Sequence, residues 1–249
     1  MEQNAAESRR GCCVRDPEHQ PMTSQPGERA RALAPDLGGP LGELAVRYAL
    51  EVPSRVLTTE RFILRPLVSG DRGAFLEAVR VSRRELDRTH PLHEAGESDD
   101  ELFIRQLKLL AEGERTGRAC RRVGVLGDGR IIGAFNVTAI ARGLSFEGEL
   151  AWWVRSDMSG RGLASEGVRA ISGYALADLP EGLGLYTLHA MIEPSNLASR
   201  RIAQKLGFTG VAGVTAKVWI GDEWRTHDMF AVTLDSMQAA AIRRGREPA

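Results

Sequence analysis

Lysine is nearly absent from this sequence. Only three of its 33 basic residues are Lys, so thirty are Arg. Asp+Glu also number 33, and the formal net charge is zero. That excludes nucleic-acid binding by overall charge, which needs a basic excess. The arginine excess reads as a compositional bias of the source rather than as phosphate recognition. Cysteine is scarce too: Cys12, Cys13 and Cys120. Adjacent cysteines bridge poorly and no metal spacing exists, which argues against a disulfide scaffold or a zinc finger. A reducing, cytoplasmic setting fits best. No apolar run approaches the roughly 18 residues of a membrane span. The start, MEQNAAESRRGCC, has no apolar signal core.

What is present is ordinary globular material. The 249 residues are 43% hydrophobic and 27% charged, enough for one domain or two small ones. Six of the eleven prolines are Pro17, Pro21, Pro26, Pro35, Pro40 and Pro53. Few large apolar residues accompany them before Leu41. Such a segment cannot offset its ordering entropy, so 1–39 reads as disordered. Residues 41–50 put Leu41, Leu44, Ala45 and Tyr48 on one face of a short helix, and Met22 is a rival start. The expected organisation is an extension over 1–56, a domain over 57–236 and a tail over 237–249.

Within the domain, 58–67 alternates Phe62 and Leu64 against Ile63 and Arg65, a strand ended by Pro66. Ser69 or Asp71 caps a helix carrying Phe75, Leu76 and Val79. After a polar loop, Ser98 opens a second helix. Strands 119–126 and 131–141 flank Gly127-Asp128-Gly129, a hairpin turn. Residues 147–155 form the fourth strand and 162–177 a helix. Residues 185–193 form the fifth strand and 196–206 a helix capped by Gly207. Strands 213–220 and 227–234 close the domain. This order predicts an α+β domain, a mixed and mostly antiparallel sheet covered by helices in three layers.

Two stretches carry chemistry. Strand 149–155 runs into Ser159-Gly160-Arg161-Gly162-Leu163-Ala164 and then a helix. Glycines permit a sharp turn and close ligand approach, and a helix start offers free N–H groups to a phosphate. Arg161 adds a full charge there. A purely structural turn fits the same residues. So does a dinucleotide fingerprint, although Ser165 stands where Gly or Ala is wanted and the preceding strands form antiparallel hairpins. No P-loop Gly-Lys-Ser/Thr follows. The second stretch is Glu193-Pro194-Ser195-Asn196-Leu197-Ala198-Ser199, ending in Lys205-Leu206-Gly207-Phe208. Alone, Asn196 is an N-cap and Ser199 a helix residue.

Together, over roughly 57–235, these pieces resemble the GNAT N-acetyltransferase family, in particular its ribosomal-protein-alanine N-acetyltransferases. The matching segments are TTERFILRPL, IIGAFNV, ELAWWV, GRGLASEGV, NLASRRIAQKLGF and GDEWRTHDMFAVT. The resemblance implies the GNAT fold, with the sheet splayed between the fourth and fifth strands and acetyl-CoA between them. It implies that main-chain N–H groups of Gly160, Arg161, Gly162, Leu163 and Ala164 hold the pyrophosphate. Val154 pairs through its backbone with the pantetheine or acetyl group, and Asn196 bonds the arm from the other side. Ser159 departs from the family pattern, which has Arg or Gln there.

The implied chemistry is direct attack of a primary amine on the thioester. Glu149 is the candidate base, with Glu147 its rival, and Ser199 the donor to the leaving thiolate. Period-two alternation places Glu147, Glu149, Ala151 and Trp153 on one face and Trp152 on the other. The implied acceptor is a protein N-terminal amine, such as that of a ribosomal protein. Alternatives are a small amine or antibiotic, or a catalytically silent domain binding CoA or a protein. No metal, membrane or nucleic acid is implied, and the protein is expected as monomer or homodimer. His90, His93 and Glu94 lie in a loop able to line an acceptor cleft. His227 and Cys120 read as structural, and Trp152 and Trp153 as core or channel.

Overall fold

The computed structural model describes residues 56–246. The N-terminal extension, its helix at 41–50 and the question of Met22 therefore lie outside the described residues. Among these described residues, eight strands form one sheet in the order β1-β2-β3-β4-β5-β6-β8-β7. They are β1 (Leu57–Thr58), β2 (Phe62–Arg65), β3 (Cys120–Leu126), β4 (Ile131–Ala141), β5 (Glu147–Val154), β6 (Thr187–Ile192), β7 (Thr209–Ile220) and β8 (Glu223–Val232). Every neighbouring pair is antiparallel except β5 with β6. Five helices accompany them: α1 (Arg72–Thr89), α2 (Asp99–Thr116), α3 (Leu163–Leu176), α4 (Leu197–Lys205) and α5 (Leu234–Arg246). This is the GNAT fold that the sequence implies.

The alternation of β2 sorts the core into two layers. Ile63 faces one side, with Phe75, Val79 and Leu86 of α1, Leu102 and Phe103 of α2, and Trp153 of β5. Phe62 and Leu64 face the other, with Phe135, Leu150, Val168 and Ile171 of α3, and Ala203 of α4. Helix α1 buries Phe75, Ala78, Val79, Ser82 and Leu86, the stripe a 3.6-residue period predicts. Arg65, fully buried, pairs with Asp71 through both guanidinium Nη atoms at 2.5 and 2.7 Å. Asp71 also accepts from Val68 N at 2.9 Å. A buried charge of this kind needs an opposite charge beside it. Helix α2 starts on Ser98, which accepts from Glu101 N, while Glu101 accepts from Ser98 N. That is a reciprocal capping box.

Several boundaries differ from the sequence reading. β7 begins at Thr209 and β8 at Glu223, each four residues ahead of the expected strands 213–220 and 227–234. The strand expected over 58–67 is broken at 59–61, because Thr59 turns the chain. Its N and Oγ1 donate to Phe62 O at 3.0 and 2.6 Å. The tail expected from 237 is a helix, α5. Thr233 starts it, with Thr233 N donating to Ser236 Oγ at 3.0 Å, and Ala240 is buried in its core-facing side. Among the described residues no helix is long and apolar enough to cross a membrane.

The feature that positions the site is the short parallel pairing of β5 with β6. Only Glu147, Gly148 and Glu149 pair, with Thr187, Leu188 and His189. Beyond Glu149 the two strands diverge, while β5 stays paired with β4 as far as Val154. A V-shaped gap opens at the centre of the sheet.

Candidate active site

Two cavities meet in this gap. One, about 330 Å³, lies between β5 and the starts of α3 and α4, and is lined by Val154, the 159–165 turn apart from Arg161, Asn196 and Ser199. The other, about 290 Å³, lies between β5, the end of β6 and the β7–β8 hairpin, and includes Glu149, Glu193, Trp219 and His227. Thr89, Trp152, Asn196 and Ser199 line both. A molecule in each would therefore meet at this shared wall.

The first cavity is built from backbone. Arg155 N donates to Ile132 O at 2.8 Å. Strand backbone alternates, so the N–H and C=O of Val154 point the other way, into the gap. Downstream, Gly160 and Gly162 have φ of +76° and +79°, a conformation that favours glycine. Gly162 is the N-cap of α3, so the first-turn N–H groups of α3 have no acceptor within the helix. A Cβ at Gly160 would meet nothing within 4 Å. The site thus offers a row of unpaired donors at the turn, strand donors and acceptors in the gap, and room over the glycines. That arrangement suits a pyrophosphate with an extended amide-bearing arm, the form of coenzyme A.

Asn196 is the N-cap of α4. Its Oδ1 accepts from Ser199 N at 3.1 Å, which leaves its amide N–H groups for a ligand. Ser199 follows one turn later, half-buried on the shared wall. Arg161 is exposed, and its Nη2 reaches Asp157 O at 3.3 Å. Ser159 lines the first cavity, and its N donates to Ser156 O at 3.2 Å.

The two carboxylates of β5 separate clearly. Glu149 is exposed at the last paired position and lines the second cavity. Glu147 lines neither, and its Oε2 lies 3.0 Å from His189 Nε2. The His189 hydrogen bond, aided by Ser145, holds the Glu147 carboxyl below its usual range. The β5 alternation runs as the sequence implies: Trp153 is buried against α1 and α2, and Trp152 packs from the opposite face.

The loop residues do not converge. His90 lines the second cavity. His93 instead turns to Asp99 Oδ1 at 2.9 Å and Arg83 Nη1 at 3.2 Å, and Glu94 lies 3.4 Å from Arg105. Cys120 is buried, and burial pushes its thiol up to about 11, so it stays protonated and unreactive.

Sequence reasoning missed Arg61. From the turn between β1 and β2 its Nε donates to Glu166 Oε2 at 2.6 Å and its Nη1 to Arg161 O at 2.7 Å. Its own N donates to Glu166 Oε1 at 2.9 Å. Arg61 therefore grips the glycine turn from outside. The only signal was its place in TTERFILRPL, one of the segments that carry the resemblance. Glu193, at the end of the fifth strand, also lines the second cavity and was given no role by the sequence.

Comparison with known proteins agrees with this architecture. Probable N-acetyltransferase YjcK of Bacillus subtilis is 29% identical over 105 residues, 42% of this chain and 56% of that protein. The match thus spans little more than half of that relative. The structure of Mycobacterium smegmatis RimJ in complex with CoA-disulfide superposes with a TM-score of 0.66 at 20% identity, covering 77% of this chain and 95% of that one. Ribosomal-protein-S5-alanine acetyltransferase of Vibrio fischeri gives 0.64 at 21%, covering 74% and 99%. Spermidine N-acetyltransferase of Vibrio cholerae, in complex with CoA and spermine, gives 0.58 at 16%, covering 72% and 98%. At these identities the structures speak to fold alone. The acetyltransferase (GNAT) domain model matches residues 61–209, more than half of the chain, which accordingly belongs to the GNAT acetyltransferase family.

Proposed function

We propose that the protein transfers the acetyl group of acetyl-CoA to a primary amine, the N-terminal α-amine of a protein of the ribosomal-protein-alanine type. The observation that carries this reading is the meeting of the two cavities at Asn196 and Ser199. Acetyl-CoA occupies the first, with its pyrophosphate on the N–H groups of 160–164 and its arm along Val154 and Asn196. The acceptor enters the second.

The reaction runs in one ternary complex. Glu149 takes a proton from the ammonium, directly or through water, and frees the nitrogen lone pair. The nitrogen attacks the thioester carbonyl, a C–N bond forms, and the carbonyl π electrons move to oxygen. The Val154 N–H meets that oxyanion. The intermediate collapses, the C–S bond breaks, and Ser199 Oγ–H passes its proton to the departing thiolate while the second proton of the attacking nitrogen returns to Ser199 Oγ, which leaves the neutral amide and the CoA thiol. Arg161 supplies positive charge at the turn, where Ser159 has none, and Arg61, paired with Glu166, holds the turn in shape.

The test is CoA release from acetyl-CoA with short peptides bearing Ala or Ser N-termini, run beside spermidine. Peptide turnover well above spermidine turnover supports the reading. The reverse moves the acceptor to small amines. CoA binding without release from any acceptor would identify a silent member of the family.

A further inference from the structure

His227 is a buried imidazole that the chemistry above leaves unused. It lies on β8 and is only 5% exposed. Register fixes the way it faces. Glu149 stands opposite His189 on β6; two residues on, Met191 stands opposite Met229 on β8, and His227 lies two residues beyond. Opposed residues, and residues two apart, share a face of a sheet. Glu149, Met191 and His227 therefore look the same way, and all three line the acceptor cavity. His227 has no part in the wall of the cofactor cavity.

Its protonation pattern follows from one contact. Nδ1 lies 3.2 Å from the Arg225 carbonyl oxygen. A carbonyl only accepts, so Nδ1 carries a proton, and in the neutral imidazole the lone pair is on Nε2. Nε2 bonds to none of the described residues, and it is not among the atoms sealed from solvent without a partner. It therefore opens on the cavity. The carbonyl is itself held in place. Arg225 Nε donates to Glu223 Oε1 at 2.7 Å, its Nη1 to Arg88 O at 2.8 Å, and Nη1 lies 3.8 Å from Glu193 Oε2. Arg225 so straps β8 to the end of α1 and the end of β6, with its carbonyl under the imidazole.

We infer that His227 is an acceptor-binding residue whose Nε2 receives a hydrogen bond from the first peptide N–H behind the attacking amine. The inference rests on the acetyl-transfer reading above. It assigns the two faces of the acceptor different tasks: Glu149 takes the proton of the reacting nitrogen, and His227 holds the peptide behind it. An acceptor with a backbone amide next to its amine satisfies both; a simple alkylamine satisfies one.

Two substitutions separate this role from a structural one. H227N keeps an amide N–H for the Arg225 carbonyl but ends short of the cavity. H227Q carries Oε1 near the position of Nε2. A short peptide with a free N-terminal alanine is titrated into the CoA-saturated protein, and initial rates are measured at saturating acetyl-CoA. H227N should raise the peptide Kd and KM about tenfold or more, the loss of one buried hydrogen bond, and leave the CoA Kd within about twofold. H227Q should recover the peptide to within about threefold of wild type. The inference is overturned if H227N leaves the peptide KM unchanged, weakens CoA as much as peptide, or is not rescued by H227Q. A wild-type protein that binds CoA but neither binds nor acetylates the peptide overturns the N-terminal-amine reading, and this inference with it.

Discussion

Replacing Glu149 by Gln tests the base and separates it from Glu147. An α-ammonium has a pKa near 7.7–8.0, so about a tenth of the acceptor is already free amine at pH 7 and about a hundredth at pH 6. An enzyme with a working base is spared that equilibrium; E149Q is not. Its kcat/KM should fall about tenfold at pH 7 and about a hundredfold at pH 6, and approach wild type near pH 9. In barrier terms this is about 1.4 kcal/mol for each tenfold loss. The structure gives the control. Glu147 lines neither cavity and is bound to His189 at 3.0 Å, so E147Q should leave kcat/KM and its pH profile intact. E147Q acts on stability instead. The folded-state Glu147 titrates below its ordinary value of 4.5, so its contribution is present above that value and is lost as pH falls through the folded one. E147Q should therefore be less stable than wild type at neutral pH and converge with it in acid. Initial rates from pH 5.5 to 9 and thermal melts check both. An E149Q profile parallel to wild type, or an equal rate loss in E147Q, would refute the assignment.

Gly167→Ala should destabilise the fold by about 1–3 kcal/mol, the cost of overpacking. Its Cβ would lie 2.3 Å from the Phe135 ring, and thermal or urea unfolding reads the loss. Arg61→Ala should weaken CoA binding about fivefold to about 150-fold, as expected for its two side-chain hydrogen bonds at about 0.5–1.5 kcal/mol each, with little change in acceptor KM; calorimetry decides. Glu97, bonded by Arg105 at 2.7 Å, titrates at about 2 rather than 4.5. Its stabilisation is complete above pH 4.5 and is lost toward pH 2, so E97Q and wild type should differ in stability at pH 7 and converge near pH 2.

Much of the architecture is written locally. Ser98 and Glu101 announce α2, Gly127-Asp128-Gly129 announces its hairpin, and Phe62/Leu64 against Ile63/Arg65 sorts the two core layers, because each signal acts within one turn or one strand. The misses have physical causes as well. The turn at 59–61 depends on a threonine hydroxyl competing with strand pairing, which alternation does not register. Helix α5 does carry a signal, Thr233 and Ser236 ahead of an alanine-rich run, but its apolar face makes sense only against distant parts of the chain, where Met237 approaches Gly173 and Ala240 approaches Gly207. Within the site, motif reading brought together Val154, the glycine turn, Asn196 and Ser199, which line one cavity. It ranked Glu149 above Glu147 by its place in the ELAWWV segment that carries the resemblance; the His189 contact of Glu147, 42 residues away in sequence, adds a physical reason. His227 looked structural because a lone histidine on a strand carries no periodicity. Only the register across β5, β6 and β8 shows which cavity it faces.

Arg61 shows why a departure from the family pattern at Ser159 is compatible with the proposed site. A turn that binds pyrophosphate through main-chain N–H groups depends on backbone shape more than on any one side chain. Two things hold that shape here. Positive φ at Gly160 and Gly162 sets the curve, and Arg61 ties its far side through Glu166 and the Arg161 carbonyl. Drawing that carbonyl toward Arg61 turns the N–H of the same peptide, that of Gly162, the opposite way, because C=O and N–H of one peptide plane are antiparallel. A guanidinium contributed from the β1–β2 turn thus does from behind what a side chain at 159 would do from the front. It leaves the space over the glycines clear for the ligand.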